Sequence, residues 1–223
     1  MELNYGGLAI PRILQLMLRY FLNSEFHDLR SNKNTGKESR NKLQPEKIIE
    51  TSIGEIKLRP FGKQHISAQL SYLYDSPPEF LESIGYDISK LPGKSEHSKF
   101  LHSRLETDAG KSTFHNIVAE YKGDVIASIF LHLGDVPRAH FHIFSQDLRG
   151  KGIGLLIFKR GLQMLMKQHS LTEVFVEPKA DNLPMNRLME KCGFEFVGDS
   201  IFEGPITLAF AAKKYLIQLS KLD

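Results

Sequence analysis

No tryptophan, one cysteine and no long uncharged apolar run occur among the 223 residues of this chain, and each scarcity removes a class of protein. A single thiol, Cys192, cannot build a disulfide framework, so a reducing compartment, the cytoplasm, is expected. Cys192 falls between a predicted helix end and Gly193, where a buried structural thiol is expected rather than a nucleophile. The most apolar stretch, Pro11 to Leu22, contains Arg12 and Arg19 and is too short to span a bilayer, so no membrane span is expected. A secretory signal would put its positive charge before the apolar core and small residues after it, and this segment does neither. The net charge is only +3, which provides no concentrated basic face for nucleic acid but is compatible with an anionic small ligand.

A hydrophobic content of 41% suits one globular domain with a sizeable core, plus extensions. Residues 1–50 are expected to form an N-terminal extension: an amphipathic helix over 11–22, docked on the domain or on a second subunit in a homodimer, then a polar linker from Asn23 to Lys47. An organelle-targeting role for 11–22 stays open. Residues 51–223 read as the domain. Its predicted elements are a first strand at Ile56–Pro60 and helices at His65–Tyr74, Pro78–Ile84 and Ser95–Glu106. A hairpin follows, Asn116–Glu120 and Val125–Phe130, joined at Gly123-Asp124. Further strands are expected at Ala139–Phe144, Val174–Pro178, Phe194–Ile201 and Ile206–Phe210, with Ala211–Leu219 either strand or helix.

The most informative stretch is Arg149–Gly154, Arg-Gly-Lys-Gly-Ile-Gly. The strand at Ala139–Phe144 precedes it, and Leu155, Phe158, Leu162, Leu165 and Met166 recur behind it at helical spacing through Gln168. A glycine loop opening a helix exposes several backbone N–H groups together, which is how a phosphate is held. The P-loop would need Lys followed by Ser or Thr, and the dinucleotide fold Gly-x-Gly-x-x-Gly; neither is present. Alone, such a hexamer is equally a solvated turn with Arg149 and Lys151 as surface charges.

The surroundings decide. Arg149, Gly152 and Gly154 in Arg-x-x-Gly-x-Gly, then Asn182, then Met189-Glu190-Lys191-Cys192-Gly193-Phe194 resemble the Gcn5-related N-acetyltransferases in order and spacing, over roughly Ser52 to Phe210. The resemblance implies an α/β (α+β) acyl-CoA N-acyltransferase fold: a mixed, mostly antiparallel sheet flanked by helices, whose fourth and fifth strands splay to admit acetyl-CoA. It implies coenzyme A contacts from the strand end at Ile143 and Phe144, from the loop residues Arg149, Gly150, Lys151, Gly152, Ile153 and Gly154, and from Asn182. The implied activity is transfer of an acetyl group to a primary amine, on a small metabolite, by direct attack in a ternary complex. A catalytically silent acyl-CoA sensor, or acetylation of a protein amine, stands as the alternative. One departure is Met189, where the family often has a Tyr that protonates the departing thiolate; Ser145 and Tyr215 are conceivable substitutes.

Such chemistry needs an acceptor for the amine proton. His140 and His142 alternate with Phe141 and Ile143 on a strand, so they share one face and are the first candidates; Glu177 is the best carboxylate, ahead of Glu120 and Asp135. The plain alternative makes both histidines packing residues. No metal site is expected, since only His132 offers itself as a loose third ligand. Asn182, before Leu183-Pro184, serves equally as a helix N-cap. Arg187 and Lys191 read as an outer-phosphate contact or as ordinary exposed helix charges. Gly161 inside the long helix marks a close approach to a strand.

Overall fold

The computed structural model describes residues 46–106 and 112–222, so the apolar run at 11–22 and the linker up to residue 45 lie outside the described residues. Eight strands form one sheet: β1 (Lys47–Thr51), β2 (Gly54–Pro60), β3 (Phe114–Tyr121), β4 (Asp124–His132), β5 (Arg138–Ile143), β6 (Glu173–Val176), β7 (Glu195–Phe202) and β8 (Phe210–Gln218). Their spatial order is β1-β2-β3-β4-β5-β6-β8-β7. Every pairing is antiparallel except β5 with β6. This is the mixed, mostly antiparallel sheet expected from the sequence.

Among the described residues five α-helices cover it: α1 (Ile66–Tyr74), α2 (Pro78–Ser83), α3 (Lys94–Glu106), α4 (Ile153–Gln168) and α5 (Leu183–Cys192). Phe158, Leu162 and Leu165 recur at four- and three-residue intervals along α4, with Ile157 beside them, and all are fully enclosed because that stripe lies on the sheet. Phe158 stacks between Phe141 of β5 and Phe194, with centroids 5.0 and 5.8 Å away. A Cβ at Gly161 would fall 2.7 Å from Ile129 Cδ1, so the glycine lets α4 settle close to β4. The opposite face carries α1 to α3 over smaller apolar clusters, Ile66, Leu70 and Leu101 in one, Tyr72, Leu73 and Leu81 in the other.

Three sequence expectations change. The strand at Ile56–Pro60 is the second, because Lys47–Thr51 pairs with it antiparallel from Lys47↔Leu58 to Thr51↔Gly54. The last strand is Phe210–Gln218, the strand alternative for Ala211–Leu219, and it replaces the one expected at Ile206–Phe210. Residues 206–209 form a connection whose Thr207 bridges Tyr86, and β8 inserts between β6 and β7. The central hairpin forms as expected, but its turn is Lys122-Gly123 rather than Gly123-Asp124: Tyr121 pairs with Asp124, and Lys122 (φ 52°) and Gly123 (φ 92°) supply the paired left-handed residues of a two-residue turn. Cys192 is buried, and burial pushes its thiol up to about 12, which leaves it inert.

Candidate active site

β5 and β6 meet at one register pair, Arg138↔Phe175, reinforced by the Phe175 N–H donating to Pro137 O at 2.9 Å. Beyond it the strands part, and a cleft of about 900 Å³ opens between them and runs under α1 to α3. Antiparallel alternation sorts the amides at the end of β5. The Phe144 N–H donates to Ile126 O within the sheet at 2.8 Å, so it is the Ile143 amide that turns to the opened edge.

The glycine loop lies beside this wedge. Gly150 (φ 75°) and Gly152 (φ 77°) are left-handed, and a Cβ at either would meet nothing within 4 Å, so the loop has open space above it. Gly152 is the N-cap of α4 and supplies no side-chain cap, leaving the first N–H groups of a sixteen-residue helix, from Ile153 and Gly154 onward, without a side-chain partner. These amides and the positive end of the helix dipole point the same way, the arrangement by which helix starts hold anions in general. Gly154 permits close packing, since its Cβ would come 3.0 Å from Ile143 Cδ1. Arg149 turns back from the loop: its Nη2 donates to Ile143 O at 3.0 Å and its guanidinium lies over Phe80 at 4.4 Å. Lys151 is exposed on the loop.

Asn182 lines the cleft and caps α5, its Oδ1 accepting from Met185 N–H at 3.2 Å. Asn186 does something the sequence reading did not anticipate. Its buried Nδ2 donates to the carbonyls of Lys179, Ala180 and Asn182 at 3.1, 3.2 and 2.9 Å, tying the segment after β6 to α5. Arg187 and Lys191 stand exposed at the rim of the cleft.

His140 and His142 both face the cleft, opposite Phe141, which packs into the core. Among the described residues the His140 ring has no hydrogen-bond partner; it meets Phe202 edge-on at 5.9 Å. Burial pulls it down to about 4, with His132 and Arg138 adding and Glu177 opposing. His142 is caged by Tyr72, Tyr86 and Phe130, and its Nδ1 lies 3.1 Å from Tyr72 Oη. Burial, then His140 and Arg149, bring it down to about 3. Both are therefore neutral imidazoles near neutral pH. Glu177 lines the cleft but is engaged, receiving Arg138 Nε at 2.8 Å and Ser200 Oγ at 3.0 Å. Glu120 is held by His65 at 2.8 Å and, like the exposed Asp135, does not line the cleft.

A parted strand pair, a glycine loop opening a helix and a capping Asn occur together in one place. The sequence model of the acetyltransferase (GNAT) family matches residues 80–194. The chain belongs to this family. No curated protein matches the chain significantly. Among solved structures, RimJ of Mycobacterium smegmatis in complex with CoA-disulfide superposes with a TM-score of 0.64 at 16% identity, over 81% of this chain and 88% of that one. The aminoglycoside acetyltransferase AAC(6')-Ib in complex with coenzyme A gives 0.58 at 17%, over 74% and 96%. The spermidine/spermine N-acetyltransferase SpeG from Vibrio cholerae gives 0.56 at 16%, over 74% and 94%. At these identities the likeness concerns the fold.

In this GNAT domain Met189 is fully buried in the core, and neither Ser145 nor Tyr215 lines the cleft; Tyr215 is enclosed on β8. Among the hydroxyls that line it are the phenols of Tyr72 and Tyr86, both held protonated because burial raises them well above the ordinary phenol range. Tyr72 also stacks on Phe144 at 4.4 Å. Sequence reasoning missed it because its partner His142 is 70 residues away. No group of three or more His, Cys, Asp or Glu among the described residues is arranged to hold a metal, and none of the described helices is long and apolar enough to cross a membrane.

Proposed function

We propose that this GNAT member transfers an acetyl group from acetyl-CoA to a primary amine of a small molecule, by direct attack in a ternary complex. The observation that carries the reading is the uncapped start of α4, with left-handed Gly150 and Gly152 under open space, beside strands that part after one register pair. An added Cβ there would enter the space a diphosphate needs, so the residues present fit the coenzyme. Backbone amides from Gly150 to Gly154 would hold the diphosphate, Lys151 and Arg149 would add charge, and the Asn182 Nδ2, left over from capping, would serve the pantetheine arm. Bound there, acetyl-CoA supplies an activated thioester carbonyl. The Ile143 amide, facing the wedge, is the donor in reach of that carbonyl's oxygen, and Phe144 shapes the same strand end.

His140 is the proposed proton acceptor. It is neutral at working pH, open to the cleft and without a protein hydrogen bond among the described residues, so an amine or an intervening water can use its free nitrogen. A group held near 4 is a weak base, and it acts by accepting the proton as the amine acquires charge rather than by stripping an ammonium beforehand. Glu177, fixed by Arg138 and Ser200, favours the imidazolium that results. His142 and Tyr72 form the neighbouring hydrogen-bonded pair, and the Tyr72 hydroxyl is the donor suited to the departing sulfur. Residues that share one function across the cleft explain why Met189 can be a core residue. The test is free-thiol release from acetyl-CoA with a panel of primary amines. Amine-dependent release supports the reading; coenzyme binding with no release for any amine leaves a silent sensor.

A further inference from the structure

The acceptor side of the cleft has a charge pattern of its own. Strand register lays out its floor as a grid: Phe114, His132 and Arg138 in one row, Asn116, Phe130 and His140 in the next, Val118, Ser128 and His142 in the third. Rings of Tyr72, Phe80, Tyr86, Phe100 and Phe202 line the same space. Two carboxylates line the cleft among the described residues, and both are already paired: Glu177 with Arg138 at 2.8 Å, and the exposed Asp181 with Lys179 at 3.2 Å. Against them stands Arg104, at the end of α3, whose guanidinium lies over the Phe114 ring at 4.2 Å and within 5.9 Å of Phe100. No carboxylate among the described residues is within ion-pair reach of it. Burial in this apolar wall pulls Arg104 down to about 10, which leaves it a cation at neutral pH.

A polyamine would carry its additional positive charges into this lobe and find a guanidinium where it needs a carboxylate. An anion gains at the same point, because a partly desolvated guanidinium offers two parallel N–H groups to a carboxylate. We infer that the acceptor is an elongated primary amine with a ring-bearing apolar body and a distal carboxylate that pairs with Arg104. This deepens the acetyl-transfer reading and rests on it. The geometry sets the length. Arg104 leads to Phe114 at 4.2 Å, Phe114 to Phe130 at 5.5 Å and Phe130 to His142 at 5.8 Å. The His140 row, where the amine gives up its proton, is two strand residues from the Phe114 row, roughly 7 Å, and β5 is two strands across from β3, roughly 10 Å. Amine and carboxylate must therefore be separated on the order of 10 Å, which an α-amino acid, with both groups on one carbon, does not reach.

The test compares an aminomethyl-biphenyl carboxylate, its carboxamide and spermidine by calorimetric titration, with and without coenzyme A, and by thiol release from acetyl-CoA. The carboxylate is expected to bind at least about tenfold tighter than the carboxamide and tighter than spermidine. That ratio should fall to about one in Arg104→Gln and be partly kept in Arg104→Lys. Equal binding of carboxylate and carboxamide to the unaltered protein, tighter binding of spermidine, or no binding of the carboxylate overturns the inference without recourse to any variant. Titration with acetyl-CoA alone is scored separately: absence of binding there sinks the acetyl-transfer reading, whereas binding without a charge preference sinks only the role of Arg104.

Discussion

The two strand histidines look alike in sequence and differ in what surrounds them. His142 is locked among three rings and bonded to Tyr72, whereas His140 keeps its ring nitrogens for the cleft. His140→Ala should lower kcat by about 10²- to 10³-fold with the acetyl-CoA Kd unchanged within about twofold. Steady-state thiol release and calorimetry check this, and an unaltered kcat would remove His140 as proton acceptor. Tyr72→Phe should lower kcat by about tenfold or more, since it keeps the ring stacked on Phe144 and removes only the hydroxyl. The shared face of His140 and His142 was legible because strand alternation is local. The engagement of Glu177 by Arg138 and Ser200, and of His142 by Tyr72, was not, because those partners lie 39, 23 and 70 residues away.

At the scale of elements, the loop and the segment after β6 shape the proposed diphosphate site. Gly152→Ala forces an L-residue to φ 77° and puts a methyl into open space over the helix start. It should cost about 1–2 kcal/mol of stability and weaken acetyl-CoA binding by about tenfold or more. Denaturant unfolding and calorimetry on the same preparation separate the two effects; unchanged affinity would mean that the loop does not approach the ligand. Asn186→Ala removes one buried amide that serves three carbonyls and should cost about 1–3 kcal/mol. A loss below about 0.5 kcal/mol would show that those carbonyls find other partners. Elements with strong local signals were readable from sequence: the hairpin from its turn, α4 from its apolar spacing, α5 from its capping Asn182 and terminal Gly193 (φ 87°). β1 was missed because the neighbouring composition is polar and its pairing with β2 supplies what its own residues do not. β8 stood open between strand and helix because its insertion between β6 and β7 is a long-range choice that no local pattern announces.

The whole molecule carries several imidazoles inside a protein that resists charging them. Burial holds His97, His140 and His169 at about 4 and His142 at about 3, against an ordinary value of 6.5. As pH falls below 6.5, the unfolded chain takes up protons that the folded chain refuses. The stability present above that pH is therefore lost progressively towards pH 4, where the folded-state groups protonate too. Thermal melts should show Tm falling by at least about 5 °C between roughly pH 7 and pH 5; a level Tm would contradict the burial of these rings. The family and the sheet architecture were legible because several short motifs fell in order along the chain, whereas the charge pattern of the acceptor lobe arises only when α3, β3, β4 and β5 are brought together. The central claim is that main-chain amides at the start of α4 hold the diphosphate of acetyl-CoA beside the parted strands. Isothermal titration of the folded protein with acetyl-CoA tests it most directly: saturable binding at one site per chain, weakened in Gly152→Ala, is predicted, and the absence of any saturable heat would contradict it.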